Sequence, residues 1–137
     1  MRGIVLDSGP LIALFDRSDQ YHAAAVRFVE RNRQPLLTTL PVITEVVYVL
    51  DFSGEAQHDF LFWAQQALSI DTGTVDDLPQ IRALLAKYAD LPADFADASL
   101  VALCDRIKIW DIASVDSDFT LYRGRDKQRF HNRFFDE

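Results

Sequence analysis

Near the N-terminus the run Gly3-Ile4-Val5-Leu6 leads straight into a lone carboxylate, Asp7, and Ser8, Gly9 and Pro10 then break it. A continuous apolar run of this length, closed by turn residues, predicts a strand buried on both faces. Such a strand belongs to an α/β fold with a largely parallel sheet. Asp7 then stands at the strand's C-terminal end, where open α/β sheets build their sites. A strand-end Asp before Ser-Gly also serves as a simple turn or helix cap. Whether other carboxylates recur at equivalent places decides between the two.

The rest of the chain reads as alternating helices and strands. Residues 11–15 predict a short helical turn, and 19–32 an amphipathic helix in which His22 is a surface or capping group. Residues 36–39 predict the second strand. The β-branched stretch 41–50 has strand propensity, but Pro41 suits a first helical turn and the alternation calls for a helix there. Glu45 then lies about one turn in, a single charge on a strongly apolar helix, facing either solvent or a site. A helix over 55–69, a minimal strand at 70–71 and a helix over 76–89 follow.

Residues 92–104 are apolar almost all round beyond Asp97, which predicts a helix buried in the middle of the domain, with Cys104 part of its packing. Asp94, after the turn at Pro92, is a good N-cap. Asp97 gains from the helix dipole but, once buried, needs partners or a metal. Residues 108–115 predict a last major strand running directly into Asp116, Ser117 and Asp118. Beyond it Arg123, Arg125, Lys127, Arg129, His131 and Arg133 fall on every second residue. On an extended segment they would share one face; a solvated tail is the plainer alternative.

At 137 residues the chain is expected to form one domain, spanning 1–137. No apolar run is long enough for a membrane span, and the first strand begins without an export signal. A single cysteine excludes a disulfide framework and a thiolate metal cage, so a reducing cytoplasm fits best. The net charge of −7 argues against a general nucleic-acid coat protein, yet is compatible with an enzyme whose acids hold cations. Phosphate-loop, dinucleotide and serine-hydrolase motifs are absent.

Asp7, Glu45, Asp97 and Asp116 are thus far apart in sequence, but each is placed at a strand end or helix start of a β-α-β-α pattern. With parallel strands they fall along one sheet edge. Carboxylates brought together repel, and a hard divalent cation resolves that conflict; an all-oxygen set points to Mg²⁺ or Mn²⁺. Phosphodiester hydrolysis is the chemistry such a site supports best.

With these residues in view the chain resembles a PIN domain, specifically the small ribonucleases of the VapC type from bacterial toxin–antitoxin pairs. The matching pieces are Ile-Val-Leu-Asp7-Ser-Gly-Pro-Leu-Ile-Ala-Leu, Thr-Glu45-Val-Val, Asp94-Phe-Ala-Asp97-Ala-Ser-Leu-Val-Ala and Ser-Val-Asp116-Ser-Asp118-Phe, in order over nearly the whole chain. The resemblance implies a three-layer α/β/α sandwich with a mostly parallel sheet of four or five strands. It implies Asp7, Glu45, Asp97 and Asp116 as the catalytic and metal-binding quartet, with Asp94 and Asp118 in support. It further implies Mg²⁺- or Mn²⁺-dependent endoribonuclease activity on single-stranded or loop RNA, a dimer, and inhibition by a small antitoxin lying over the site. The apolar segments 43–52 and 60–68 are candidates for a partner or dimer groove. Arg123, Arg125 and Lys127 are expected to flank the acids and bind RNA phosphates. A PIN domain that only binds RNA or protein is the alternative. A response-regulator receiver is disfavoured, because Asp7 lacks an acidic neighbour and Val115 is not followed by Lys.

Overall fold

The computed structural model describes residues 2–91 and 93–136. Five strands form one sheet: β1 (Ile4–Leu6), β2 (Leu36–Thr39), β3 (Leu68–Asp71), β4 (Asp111–Ala113) and β5 (His131–Asn132). Their order is β3-β2-β1-β4-β5 and every pairing is parallel. Val5 pairs with Leu37 on one side and Ile112 on the other, so β1 is central, and all three of its residues are buried. The doubly buried strand expected from its composition is present.

The helices are α1 (Ser8–Phe15), α2 (His22–Arg31), α3 (Leu40–Val49), α4 (Gly54–Ala67), α5 (Leu78–Lys87) and α6 (Phe95–Ile107). From β1 the chain steps outward through β2 to β3, then returns past β1 to β4. Right-handed crossovers therefore place α1, α2 and α4 on one face and α5 and α6 on the other. α3 contacts both α1 and α6. The result is the three-layer α/β/α sandwich, and strand order reverses between β1 and β4. No helix of the described residues is long and apolar enough to cross a membrane.

Local chemistry explains the elements that carry functional candidates. Pro41 lies in the first turn of α3, and the buried Val42, Ile43 and Val46 form a helical stripe that overrides β propensity. In α6 every residue from Ala96 to Asp105 is buried. Asp94 caps that helix, its Oδ1 accepting the Asp97 N–H at 2.8 Å, and Lys108 ends it in the left-handed region at φ 59°. Burial pushes the Cys104 thiol well above its ordinary pKa, consistent with packing rather than redox chemistry. Pro92 lies outside the described residues.

Several boundaries differ from expectation. α1 begins at Ser8 rather than at residue 11: Asp7 caps it, and Pro10 falls in its first turn, where a missing N–H costs nothing. β3 begins at Leu68, and β4 is only three residues long because Lys108 turns the chain. The largest correction concerns the alternating basic row. It is no extended face: 3-10 turns occupy Asp118–Thr120 and Arg125–Lys127, with Asp126 and Lys127 left-handed at φ 58° and 62°. Nor is the end of the chain a solvated tail. Phe134 is buried 5.7 Å from the Phe28 ring, and Arg31 Nη2 donates to the carbonyls of Arg133 and Phe134. Burying one such ring contributes about 1.5–3 kcal/mol, enough to fold the segment back onto the sheet.

Candidate acidic site at the sheet edge

Parallel strands end on a common edge, and the crevice where strand order reverses is the natural place for a site. Asp7 follows β1 and Asp116 follows β4, the two strands flanking that reversal. The second turn of α3 and the first turn of α6 bring Glu45 and Asp97 to the same edge.

Hydrogen bonds tie these acids to one another through short polar side chains. Asp7, 4% exposed, accepts the Ser8 N–H on Oδ1 at 2.8 Å and the Ser114 hydroxyl on Oδ2 at 3.0 Å. The Ser114 hydroxyl also stands 3.4 Å from Asp116 Oδ1, so it bridges the two strand-end acids. Ser8 Oγ donates to Glu45 Oε1 at 2.8 Å. Asp97, 9% exposed, accepts the Tyr122 hydroxyl on Oδ2 at 2.8 Å. Asp116 Oδ1 also accepts the Asp118 N–H at 2.9 Å.

Protonation equilibria report the same convergence. Burial, with the charges of Asp116 and Glu45, raises Asp7 to about 7 despite the Ser8 and Ser114 hydrogen bonds. Burial and the charges of Asp7, Asp94 and Asp116 raise Asp97 to about 8. Glu45 is raised by burial and by Asp94 and Asp116, and Asp118 by burial and by Asp116 and Asp94. Asp7, Glu45, Asp97 and Asp118 thus each feel the charge of neighbouring carboxylates. The ion pairs among the described residues belong to Arg106 and Arg133, so no Lys or Arg side chain neutralises this cluster.

An unneutralised all-oxygen set suits a hard divalent cation. Among the described residues, however, no three His, Cys, Asp or Glu side chains stand arranged to grip one ion as they are. Their mutual repulsion favours protonation and separation.

The sequence pointed to the acids but not to Ser8, Ser114 and Tyr122, which orient them. Ser8 adjoins Asp7 and Ser114 lies two residues before Asp116, whereas no spacing links Tyr122 to Asp97. Tyr122 is 1% exposed and held edge-on by Tyr88 and Phe119. Of the basic residues expected to flank the acids, Arg123 follows Tyr122 directly, and its N–H donates to the Tyr88 hydroxyl. The Arg125 N–H instead bonds Asp105, eight residues and about 12 Å along α6 from Asp97. The extended alignment expected of Arg123, Arg125 and Lys127 is thus replaced by a 3-10 turn at Arg125–Lys127.

Beside Glu45 and Asp94 lies a groove of about 700 Å³, lined largely by Leu40, Tyr48, Val75 and Phe95. Tyr48 is 74% exposed, and Phe52, Leu61 and Phe62 are exposed as well, so segments 43–52 and 60–68 do present apolar surface.

The sequence profile of the PIN domain family matches residues 4–124. Ribonuclease VapC26 of Mycobacterium tuberculosis is 23% identical over 116 residues, covering 82% of this chain and 86% of that protein. The crystal structure of M. tuberculosis VapC20, described as a toxin that cleaves the sarcin–ricin loop, superposes with a TM-score of 0.79 at 21% identity. That match covers 86% of this chain and 93% of the other, and it shows a shared fold.

Proposed function

This chain belongs to the PIN domain family, and from that premise we propose that it is an endoribonuclease dependent on Mg²⁺ or Mn²⁺. The observation that carries the reading is the cluster of mutually coupled, unneutralised acids at the β1/β4 reversal. Asp7, Glu45, Asp97 and Asp116 would hold the cation, with Asp94 and Asp118 supporting it. A bound divalent ion lowers the pKa of a water nucleophile and offsets charge gathering on the scissile phosphate.

The chain's own part is positioning. Ser114 holds the Asp7 and Asp116 carboxylates at a fixed separation, Ser8 aims Glu45, and Tyr122 aims Asp97. Raised carboxyl pKa values mean that protons compete with the cation, so activity rises with pH through the neutral range. Arg123, next to Tyr122, and Arg125 and Lys127 in the turn that follows would meet RNA phosphates beside the acids.

The VapC relatives support a role as the toxin of a toxin–antitoxin pair. The apolar groove beside Glu45 and Asp94 fits a helix of a small antitoxin covering the site, and the exposed Phe52, Leu61 and Phe62 fit a homodimer contact. Incubating purified protein with end-labelled RNA, with Mn²⁺ or with EDTA, tests the activity. Metal-dependent internal cleavage is expected; no cleavage of any RNA with Mn²⁺ present would leave the protein a binding module.

A further inference from the structure

In a parallel sheet all strands also begin on one edge, and here that opposite edge is basic. Arg2 precedes β1, Arg33 lies between α2 and β2, Lys108 joins α6 to β4, His131 opens β5, and Arg133 follows that two-residue strand with its guanidinium on Asp111 at the start of β4. With Arg31, these residues line two adjoining cavities of about 790 and 270 Å³ that share Arg2, Gln34 and Asp111. Among the described residues five fixed positive charges there face two carboxylates, Asp111 and Asp136, in a chain of net charge −7.

Some of this charge has structural work. Arg133 pairs with Asp111 at 3.1 Å and Asp136 at 3.5 Å, and Arg31 binds the carbonyls of Arg133 and Phe134. Arg33 donates through Nη1 to the carbonyls of Glu30 and Asn32. Carbonyls do not neutralise a guanidinium, and no ion pair among the described residues involves Arg2, Arg33 or Lys108. Helix-end electrostatics accounts for Arg31 and Lys108 but not for Arg2. Both cavities hold the Gln34 amide, and the smaller one adds the amide of Gln128 and the half-buried Trp110 ring, groups suited to bases beside a phosphate backbone.

We propose that this basic edge is a second RNA-binding surface, holding substrate at the pole opposite the acids that cut it. The inference rests on the ribonuclease reading above. From Arg2 to Asp7 the extended chain covers about 17 Å, so a short oligonucleotide at the acids cannot reach the basic edge, whereas a long or folded RNA does. The surface therefore selects for substrate size rather than for the cleaved bond.

The test uses the triple variant Arg2→Gln/Arg33→Gln/Lys108→Asn, with Asn chosen for the left-handed position of Lys108. Arg31 and Arg133, which hold the C-terminal segment, stay intact, and an unchanged melting temperature confirms folding. Anisotropy binding to a long structured RNA in EDTA should weaken about 10-fold, and the slope against log salt should fall by about 2. In Mn²⁺ the KM for that RNA should rise while kcat, and all parameters for a short oligonucleotide, stay constant. Unchanged long-RNA binding and salt slope would overturn the proposal, as would equal losses on short and long RNA. If wild-type protein cleaves nothing, the ribonuclease reading fails; the EDTA binding arm still decides the basic edge.

Discussion

On the proposed reading, Asp97 is where catalysis and protein stability pull in opposite directions. A buried carboxyl held at about 8 is protonated in the folded protein but ionised when unfolded above its ordinary pKa near 4. Asp7, at about 7, behaves alike. Between pH 4 and 8 the native state therefore binds more protons than the unfolded chain, so metal-free stability falls as pH rises through that window. Thermal melts in EDTA at pH 5 and pH 8 should give the higher midpoint at pH 5, and the reverse order would refute the buried, coupled acids. Tyr122→Phe probes orientation alone, because it keeps the buried ring and removes the hydroxyl that binds Asp97 Oδ2. Losing an orienting partner of this kind costs about 10–100-fold in metal affinity or activity. Mn²⁺ titration of the variant should show that weakening with little change in KM for RNA; identical half-saturation would make Tyr122 mere packing.

At the scale of elements, the site depends on how β1 meets β4. Gly9 lies in the first turn of α1, and a Cβ there would come within 2.3 Å of Val115 Cγ2. Gly9→Ala should thus push apart the segments that carry Asp7 and Asp116, lowering stability by about 1–3 kcal/mol and activity with it, as denaturant melts and cleavage assays would show. Asp94 is separable in the same way. Asp94→Asn keeps an N-cap and should leave the melting midpoint intact, whereas Asp94→Ala should cost about 1 kcal/mol; a fall in activity for both would place Asp94 in the site as well as the cap. Much of this level was legible beforehand, since the apolar run of β1, Pro41 in α3 and the all-round apolarity of α6 are local signals. The start of α1 was not, because Ser-Gly-Pro reads as a turn until Asp7 caps it. The basic row misled because period-two spacing means a shared face only on an extended backbone, and burial of Phe134 against Phe28 imposed turns instead.

For the whole molecule, the parallel sheet separates charge: acids gather where strands end, and bases without an ion pair among the described residues where they begin. Neither edge follows from the net charge, and the four acids could be assigned to one edge only by assuming parallel strands, which the pairings bear out. On the proposed reading Asp7, Glu45, Asp97 and Asp116 act as one divalent-cation site serving RNA hydrolysis. Its most direct test is the melting-temperature shift that Mn²⁺ produces in wild-type protein and in Asp97→Asn at pH 8. A ligand at 100 times its Kd adds about 2.7 kcal/mol to the folded state, so wild type should melt several degrees higher with metal. The variant should start no less stable without metal, because repulsion among the remaining acids is relieved, and should gain far less from Mn²⁺. An equal shift in both proteins, or none in wild type, would contradict the account.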